Sequence, residues 1–346
     1  MSDVCFYLTH YAVSKTYKFF YLADKMREAG ISVEIILCST EKSGILESET
    51  NEELLSNFVK WNIQIKSRQE AEKYFKKNQF KYLIVGCYSG DIQSIISSAR
   101  KNGSLIVEIA TIGFNDPIEH HADINLLISD LAFKAALDKR PQRAKKAKNI
   151  FFVGSLFSDD IENTYTSKLR SQEDFRKKYN LDNNRVFSWM PGRDDMENLD
   201  FQKQIYLNMP SEEKLVMTLH PWTEKYQQNY LKKIKKYIQT IDSNDVYWAF
   251  KTMTSGIARN STAGIELCVL KKPVIYIGKY TRRKYLEKYV TPIGYKIDQP
   301  SELKAMSFDF NSLSNKYSDL IDKIYPNPYK PAWLRIRDFF VDRLCK

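Results

Sequence analysis

Asn260-Ser-Thr-Ala-Gly-Ile-Glu266, with Lys272-Pro-Val-Ile-Tyr-Ile-Gly278 close behind it, is the stretch that decides the reading of this chain. A hydroxyl-rich turn opens a short helix, an acid sits just over one turn into it, and Pro273 leads into an apolar strand. Ser261 and Thr262 place hydroxyls and free backbone N–H groups at a helix N-terminus, where an anion is favoured. Glu266 is spaced to accept hydrogen bonds from a ribose diol. Phosphate donors beside a ribose acceptor are what a sugar nucleotide requires. An N-capped helix packed on a sheet would read the same way.

Two further segments also end in turns after compact apolar runs. Arg185-Val-Phe-Ser-Trp-Met190 is followed by Pro191-Gly-Arg-Asp-Asp195, and Lys214-Leu-Val-Met-Thr-Leu219 by His220-Pro221. Ligands of open α/β sheets bind beyond the carboxyl ends of the strands. Gly192 lets backbone approach a phosphate, Arg193 can meet it with two N–H groups, and His220 can donate to it. Singly, Gly-Arg is a turn and His-Pro a loop. In this order, three strand ends converge on one crevice.

That order resembles the carboxyl-terminal half of GT-B glycosyltransferases. The relevant group contains lipid-A-disaccharide synthase, capsule-type transferases using CMP-linked acidic sugars, CDP-polyol phosphotransferases and UDP-N-acetylglucosamine 2-epimerases. Pro191-Gly-Arg193 is similar to the synthase's Pro-Gly-Ser-Arg turn, without the Ser. His220-Pro221 is similar to the His-Pro motif of the CMP- and CDP-donor transferases. Asn260 to Glu266 with Lys272-Pro-Val274 resembles the turn, helix and strand shared by the whole group. The resemblance implies an α/β protein of GT-B architecture, two Rossmann-like domains with an interdomain crevice. It is sharp over residues 185–280 and topological elsewhere.

Composition agrees with a folded two-domain protein. At 346 residues the chain fits two cores of roughly 150–170 residues each. With 43% apolar and 27% charged residues it is neither disordered nor fibrous. No run approaches the ~20 apolar residues that span a bilayer. Met1-Ser-Asp-Val-Cys-Phe-Tyr-Leu-Thr lacks the basic start of a signal peptide and reads as a first strand. The cysteines at 5, 38, 87, 268 and 345 are scattered without a Cys-x-x-Cys, which points to a reduced, cytoplasmic setting without structural zinc or disulfides.

The net charge of +11 is spread over helical faces such as Leu231-Lys-Lys-Ile-Lys-Lys-Tyr237, which read as solvated surface and not as a nucleic-acid site. Two denser places remain. Lys139–Lys148 reads as solvated. Lys279–Lys288, which contains Arg282 and Arg283, follows the strand ending at Gly278 and rims the crevice. There it could hold donor phosphates, an anionic acceptor or an anionic membrane surface, so peripheral membrane contact stays open.

The amino-terminal half alternates strand and helix. Strands are expected at Val4–Thr9, Ser32–Cys38, Tyr82–Gly86, Leu105–Ala110, Asn125–Ser129 and Asn149–Gly154. Helices are expected at Thr16–Ala29, Arg68–Asn78 and Ile92–Asn102, the first and last stopped by Gly30 and Gly103. Thr50–Asn62 reads as a loop and helix. No Gly-x-Gly-x-x-Gly occurs, so no dinucleotide cofactor is expected. The polar stretch 155–175 holds the boundary, giving residues 1–155 as an acceptor domain and 156–330 as a nucleotide-sugar-binding domain. In GT-B proteins a terminal helix crosses back to the first domain, which gives the amphipathic segment 331–346 that role.

The resemblance places the acceptor and a general base in the first domain. Asp91, after Cys-Tyr-Ser-Gly at the end of the strand Tyr82–Gly86, is the leading candidate, although Ser89-Gly-Asp91 is also a good helix N-cap. His10 after the first strand, and Asp116 with Glu119 after Leu105–Ala110, are the others. No acid cluster suggests a metal, and the family stabilises its leaving phosphate with protein dipoles and cations. Three functions stand. One is an inverting, metal-independent glycosyltransferase moving a UDP-, CMP- or CDP-linked sugar to a glycan or glycolipid in bacterial surface polysaccharide or lipopolysaccharide synthesis. Another is a sugar-nucleotide 2-epimerase, which departs at Leu8-Thr-His-Tyr. The last is a noncatalytic nucleotide or polyanion binder.

Overall fold

The computed structural model describes residues 2–8, 13–38, 62–86, 92–110, 122–156, 159, 169–181, 185–192, 198–219, 227–259, 261, 263–264, 267, 270, 272–278, 295–306 and 330–345. The chain divides into two compact units. One comprises Met1–Ile161 with Ile324–Lys346, the other Glu162–Lys323.

Unit 1 holds the strands β1 (Val4–Leu8), β2 (Val33–Cys38), β3 (Ile63–Lys66), β4 (Tyr82–Gly86), β5 (Leu105–Ile109), β6 (Ile124–Leu127) and β7 (Ile150–Phe152). Its helices are α1 (Val13–Glu28), α2 (Arg68–Lys77), α3 (Gln93–Lys101), α4 (Asp130–Lys139) and α5 (Pro141–Ala144). The sheet order is β3-β2-β1-β4-β5-β6-β7, and every pairing is parallel. Parallel strands covered by helices on both faces must be apolar throughout, and β1, fully buried along its length, is so. Helix α2 opens on a capping box. Ser67 Oγ accepts from Glu70 N at 3.3 Å, and Ser67 N donates to Glu70 Oε2 at 2.7 Å. After α3 the chain turns at Gly103 (φ +84°), a left-handed position that glycine adopts without strain.

The last helix, α10 (Ala332–Leu344), belongs to unit 1. Its aromatic residues pack edge-on: Phe340 on Tyr82 at 5.3 Å, Phe339 on Phe151 at 5.1 Å, Trp333 on Tyr21 at 5.5 Å. Asp159 caps its first turn, accepting from Ala332 N at 2.8 Å and Trp333 N at 2.7 Å. Burial raises the Asp159 carboxyl above its ordinary range against the pull of those N–H groups. Lys18 Nζ donates to the Asp159 carbonyl at 2.8 Å, tying α1 to the same corner.

Unit 2 holds α6 (Gln172–Lys178), β8 (Val186–Met190), α7 (Leu199–Leu207), β9 (Lys214–Thr218), α8 (Gln228–Ile234), β10 (Gln239–Ile241), α9 (Val246–Thr252), β11 (Ser255–Ala258), β12 (Val274–Ile277) and β13 (Tyr295–Ile297). Its sheet order is β10-β9-β8-β11-β12-β13, again parallel throughout. One face is a continuous core that includes Phe187, Trp189, Met217, Ile257 and Ile277 under Ile205 and Ile234. Four strands, β3, β10, β11 and β13, were not expected from sequence.

The described cysteines, Cys5, Cys38 and Cys345, are free thiols. No helix of the described residues is long and apolar enough to cross a membrane.

Candidate functional site

Both sheets reverse their winding between the first and fourth strands of the unit, the place where open α/β sheets bind their ligands. In unit 2 that point lies between β8 and β11. The register puts Ala258 level with Met190 and with Tyr276, and Trp189 level with Met217. Pro191-Gly192, Arg259, Ile277-Gly278 and Leu219 therefore leave the sheet at about the same height. Topology brings together the three segments that the sequence singled out.

Of the expected ligand residues, Gly192 and Ser261 are described. Gly192 is buried directly after β8, and Ser261 is half-buried. Ser261 Oγ accepts from Ala263 N at 3.3 Å, so its hydroxyl serves the turn that starts the following helix. Arg193, His220, Pro221, Asn260, Thr262, Glu266, Arg282 and Arg283 lie outside the described residues. So do the base candidates His10, Asp91 and Asp116, and with them Glu119. What the structure gives for these is the strand each one follows. His10 follows β1 and Asp91 follows β4, the pair flanking the reversal in unit 1, with Leu8 level with Gly86. Asp116 follows β5.

Close packing holds the helix behind Ser261 against the sheet. A Cβ on Gly264 would stand 2.6 Å from Tyr276 Oη, and one on Gly256 would collide with Leu267 Cδ1. Two absent side chains thus let Gly264 pack directly on β12 and Leu267 on β11. Lys272, in the same motif, has a different place. It precedes β12 at the opposite edge and donates to the Lys251 carbonyl at 3.3 Å. Burial, and then the charges of Lys251 and Arg176, lower its ammonium pKa. It anchors the end of α9.

Two charged residues near strand ends escaped the sequence reading. Arg259, the first residue after β11, lays its guanidinium over the Phe201 ring, 4.5 Å from the centroid. In unit 1, Glu108 is 3% exposed at the penultimate position of β5, level with Val85 and Asn125. Glu108 lies inside a run otherwise read as a buried strand, and Arg259 follows a strand the sequence did not suggest. Among the described residues no group of three His, Cys, Asp or Glu is arranged to hold a metal ion.

Solved structures of the same architecture cover nearly the whole chain. The UDP-GlcNAc 2-epimerase of Methanocaldococcus jannaschii, in complex with UDP-GlcNAc and UDP, superposes with a TM-score of 0.60 at 14% identity, over 99% of this chain and 100% of that one. A variant of the wall teichoic acid polymerase TagF gives 0.64 at 14% identity, over 99% and 89%. The chain has the GT-B fold. A glycosyltransferase from Rickettsia africae shares it, with a TM-score of 0.58 at 12% identity over 100% of this chain and 99% of that one. No protein-family model matches the sequence, and no curated protein matches it. At these identities the likeness establishes the GT-B fold and leaves the chemistry to the residues.

Proposed function

We propose that this protein is a sugar-nucleotide enzyme, and specifically an inverting, metal-independent glycosyltransferase. What supports this reading is that Gly192 and Ser261 follow the neighbouring strands β8 and β11 at the unit 2 reversal point, in a fold shared with proteins described as acting on sugar nucleotides. In this reading unit 2 holds the donor. Glu266 accepts from the ribose hydroxyls. Arg193, His220 and the N–H groups at Asn260–Thr262 meet the phosphates beside Gly192 and Pro221. Arg282 and Arg283 add charge to the rim, where an anionic acceptor or anionic lipid would lie.

Unit 1 supplies the base. Asp91, with His10 and Asp116 as the alternatives, takes the proton from the acceptor hydroxyl. The acceptor oxygen then attacks the anomeric carbon from the face opposite the nucleotide. The bond from that carbon to the phosphate oxygen breaks, and the charge left on the nucleotide is met by the unit 2 cations. A glycan or glycolipid of a bacterial surface polymer is the acceptor class this reading names.

A 2-epimerase is the second reading, supported by the full-length likeness to the M. jannaschii enzyme. UDP-N-acetylglucosamine supplied without acceptor separates the two. The transferase reading expects no 2-epimer, whereas steady acceptor-independent epimerisation would replace it.

A further inference from the structure

We propose that the outer faces of α7 and α8 in unit 2 form a docking surface for an anionic lipid bilayer. The two helices lie side by side over one face of the sheet. Ile205 of α7 and Ile234 of α8 enter the same core, and Tyr230 Oη donates to Gln202 Oε1 between them. Burial of Gln202 and Ile205 on one helix, and of Tyr230, Leu231 and Ile234 on the other, turns the remaining residues outward.

The outward residues combine two chemistries. Leu207 is 58% exposed, Tyr206 43%, and Tyr237, in the turn after α8, 38%. A single exposed leucine is ordinary, whereas large apolar side chains grouped on one face mark a binding surface. Lys203 ties the group together. It lies one turn before Leu207 on α7, and its Nζ stands 5.1 Å from the centroid of the Tyr237 ring. Beside them Lys232, Lys233, Lys235 and Lys236 are all exposed. The acids within residues 199–213 and 228–238 are Asp200, Glu212 and Glu213. Asp200 lies 3.5 Å from Lys203, and Glu213 is taken up by Arg185, so the face keeps an excess of positive charge.

An anionic bilayer answers to both chemistries. Lysine is a point charge on a flexible stem and meets laterally mobile lipid phosphates without a fixed geometry, while leucine and tyrosine enter the headgroup boundary. Each lysine near such a surface strengthens binding by about fivefold. The patch stands at the amino-terminal side of the sheet, because Leu207 closes the helix that leads to β9 and Tyr237 leads into β10. It is therefore separate from the carboxyl strand ends of unit 2, is built from residues other than the basic segment 279–288, and does not depend on the donor reading. By itself the segment 231–237 is a solvated helix face, and α7, earlier in the chain, supplies its apolar partners.

The test is sedimentation of the full chain with vesicles of equal parts phosphatidylglycerol and phosphatidylcholine, against vesicles of phosphatidylcholine alone. Wild type should sediment with the anionic vesicles only. Lys232→Gln, Lys233→Gln, Lys235→Gln and Lys236→Gln combined should weaken that binding by about a hundredfold or more, and Leu207→Ser by about tenfold. Lys145→Gln, Lys146→Gln and Lys148→Gln combined, in an exposed basic run of unit 1, should leave it unchanged. All these side chains are exposed, so urea midpoints should match wild type. Wild type that ignores anionic vesicles, or patch variants that bind like wild type, would overturn the assignment. Equal loss in the unit 1 variant would do the same, making the attraction a matter of net charge. If Leu207→Ser binds vesicles like wild type while a mixed oligonucleotide competes for the lysines, the surface is a polyanion site and not a lipid one. Self-association of wild type that Leu207→Ser abolishes would give the face to a second copy of this chain instead.

Discussion

The two units repeat one strand order, yet they place their glycines differently. In unit 1, Gly30 and Gly103 end helices, and Gly154 lets α10 approach, with Ala332 Cβ 3.3 Å from where its own Cβ would be. In unit 2, Gly192 and Gly278 follow β8 and β12, while Gly256 inside β11 and Gly264 let sheet and covering residues approach closely. Both sheets reverse their order at the same point, and residue identity decides what each strand-end can accept. In the proposed reading, unit 2 offers backbone and cations to phosphate. Unit 1 follows its two central strands with titratable side chains, His10 and Asp91, which suits proton transfer.

This division of labour can be broken by variants that move one property without the other. Asp91→Asn should lower sugar transfer by about 10²–10⁴-fold, the usual contribution of a general base, with donor affinity nearly unchanged. Full turnover in that variant would pass the role to His10 or Asp116. Glu266→Ala should do the reverse in kind, weakening nucleotide binding by about 1.5–3 kcal/mol through lost ribose hydrogen bonds. Arg193→Ala and His220→Ala should weaken phosphate-bearing ligands much more than bare nucleosides in the same titration. Binding that matches wild type in all three folded variants would detach the sequence motifs from the site.

Gly264→Ala sharpens the contrast between the two sets of glycines. Its methyl group would meet Tyr276 Oη at 2.6 Å and Val274 Cγ1 at 3.2 Å, in a position that cannot relax freely. Overpacking of this kind destabilises by about 1–3 kcal/mol. Denaturant unfolding with nucleotide titration should show both a lower midpoint and weaker binding, since the helix behind Ser261 is lifted from the sheet. Loss of stability with intact binding would mean that the helix's position does not matter to the ligand.

The smallest expected effects lie in unit 1, at the cap of α10. Asp159→Ala should remove about 0.5–2 kcal/mol of stability, measured by urea unfolding. Burial raises the Asp159 carboxyl in the folded chain, so the folded state holds that proton more tightly than the unfolded one. The resulting stability is fully present below the unfolded pKa and is lost as pH rises through the folded one. Asp159→Asn should therefore gain on wild type as pH rises from about 4 toward neutrality. A widening advantage for wild type over that range would reverse the sign and refute the assignment.

The longer strands were legible because they are parallel and buried on both faces. Val4–Leu8 and Tyr82–Gly86 show as unbroken apolar runs, and Val186–Met190 as one interrupted only by Ser188. The strands that escaped are short or carry other demands. β3 and β13 are half-exposed edge strands of four and three residues, and β10 is an edge strand reading Gln-Thr-Ile. β11 is central and fully buried, but its Ser-Gly-Ile-Ala reads as a turn. Gly256 is there because Leu267 and Met190 occupy the space of its side chain, a constraint visible only once the helix is packed. Arg259 was hidden for a related reason. Its setting depends on Phe201 and Gly278, which are distant in sequence, and no local pattern joins them. The positions of Gly192 and Ser261 just beyond strands were easier to anticipate, because turn chemistry is local.

The central claim is that unit 2 is a nucleotide-phosphate site. Thermal and denaturant unfolding of the wild-type chain with UDP, CDP, CMP and their sugar conjugates tests it most directly, with a mixed oligonucleotide as the polyanion control. A ligand present at about a hundred times its dissociation constant should add about 2.7 kcal/mol, and at least one pyrimidine nucleotide should do so while the oligonucleotide does not. A shift with the oligonucleotide and none with any nucleotide would contradict the account and make the protein a polyanion binder.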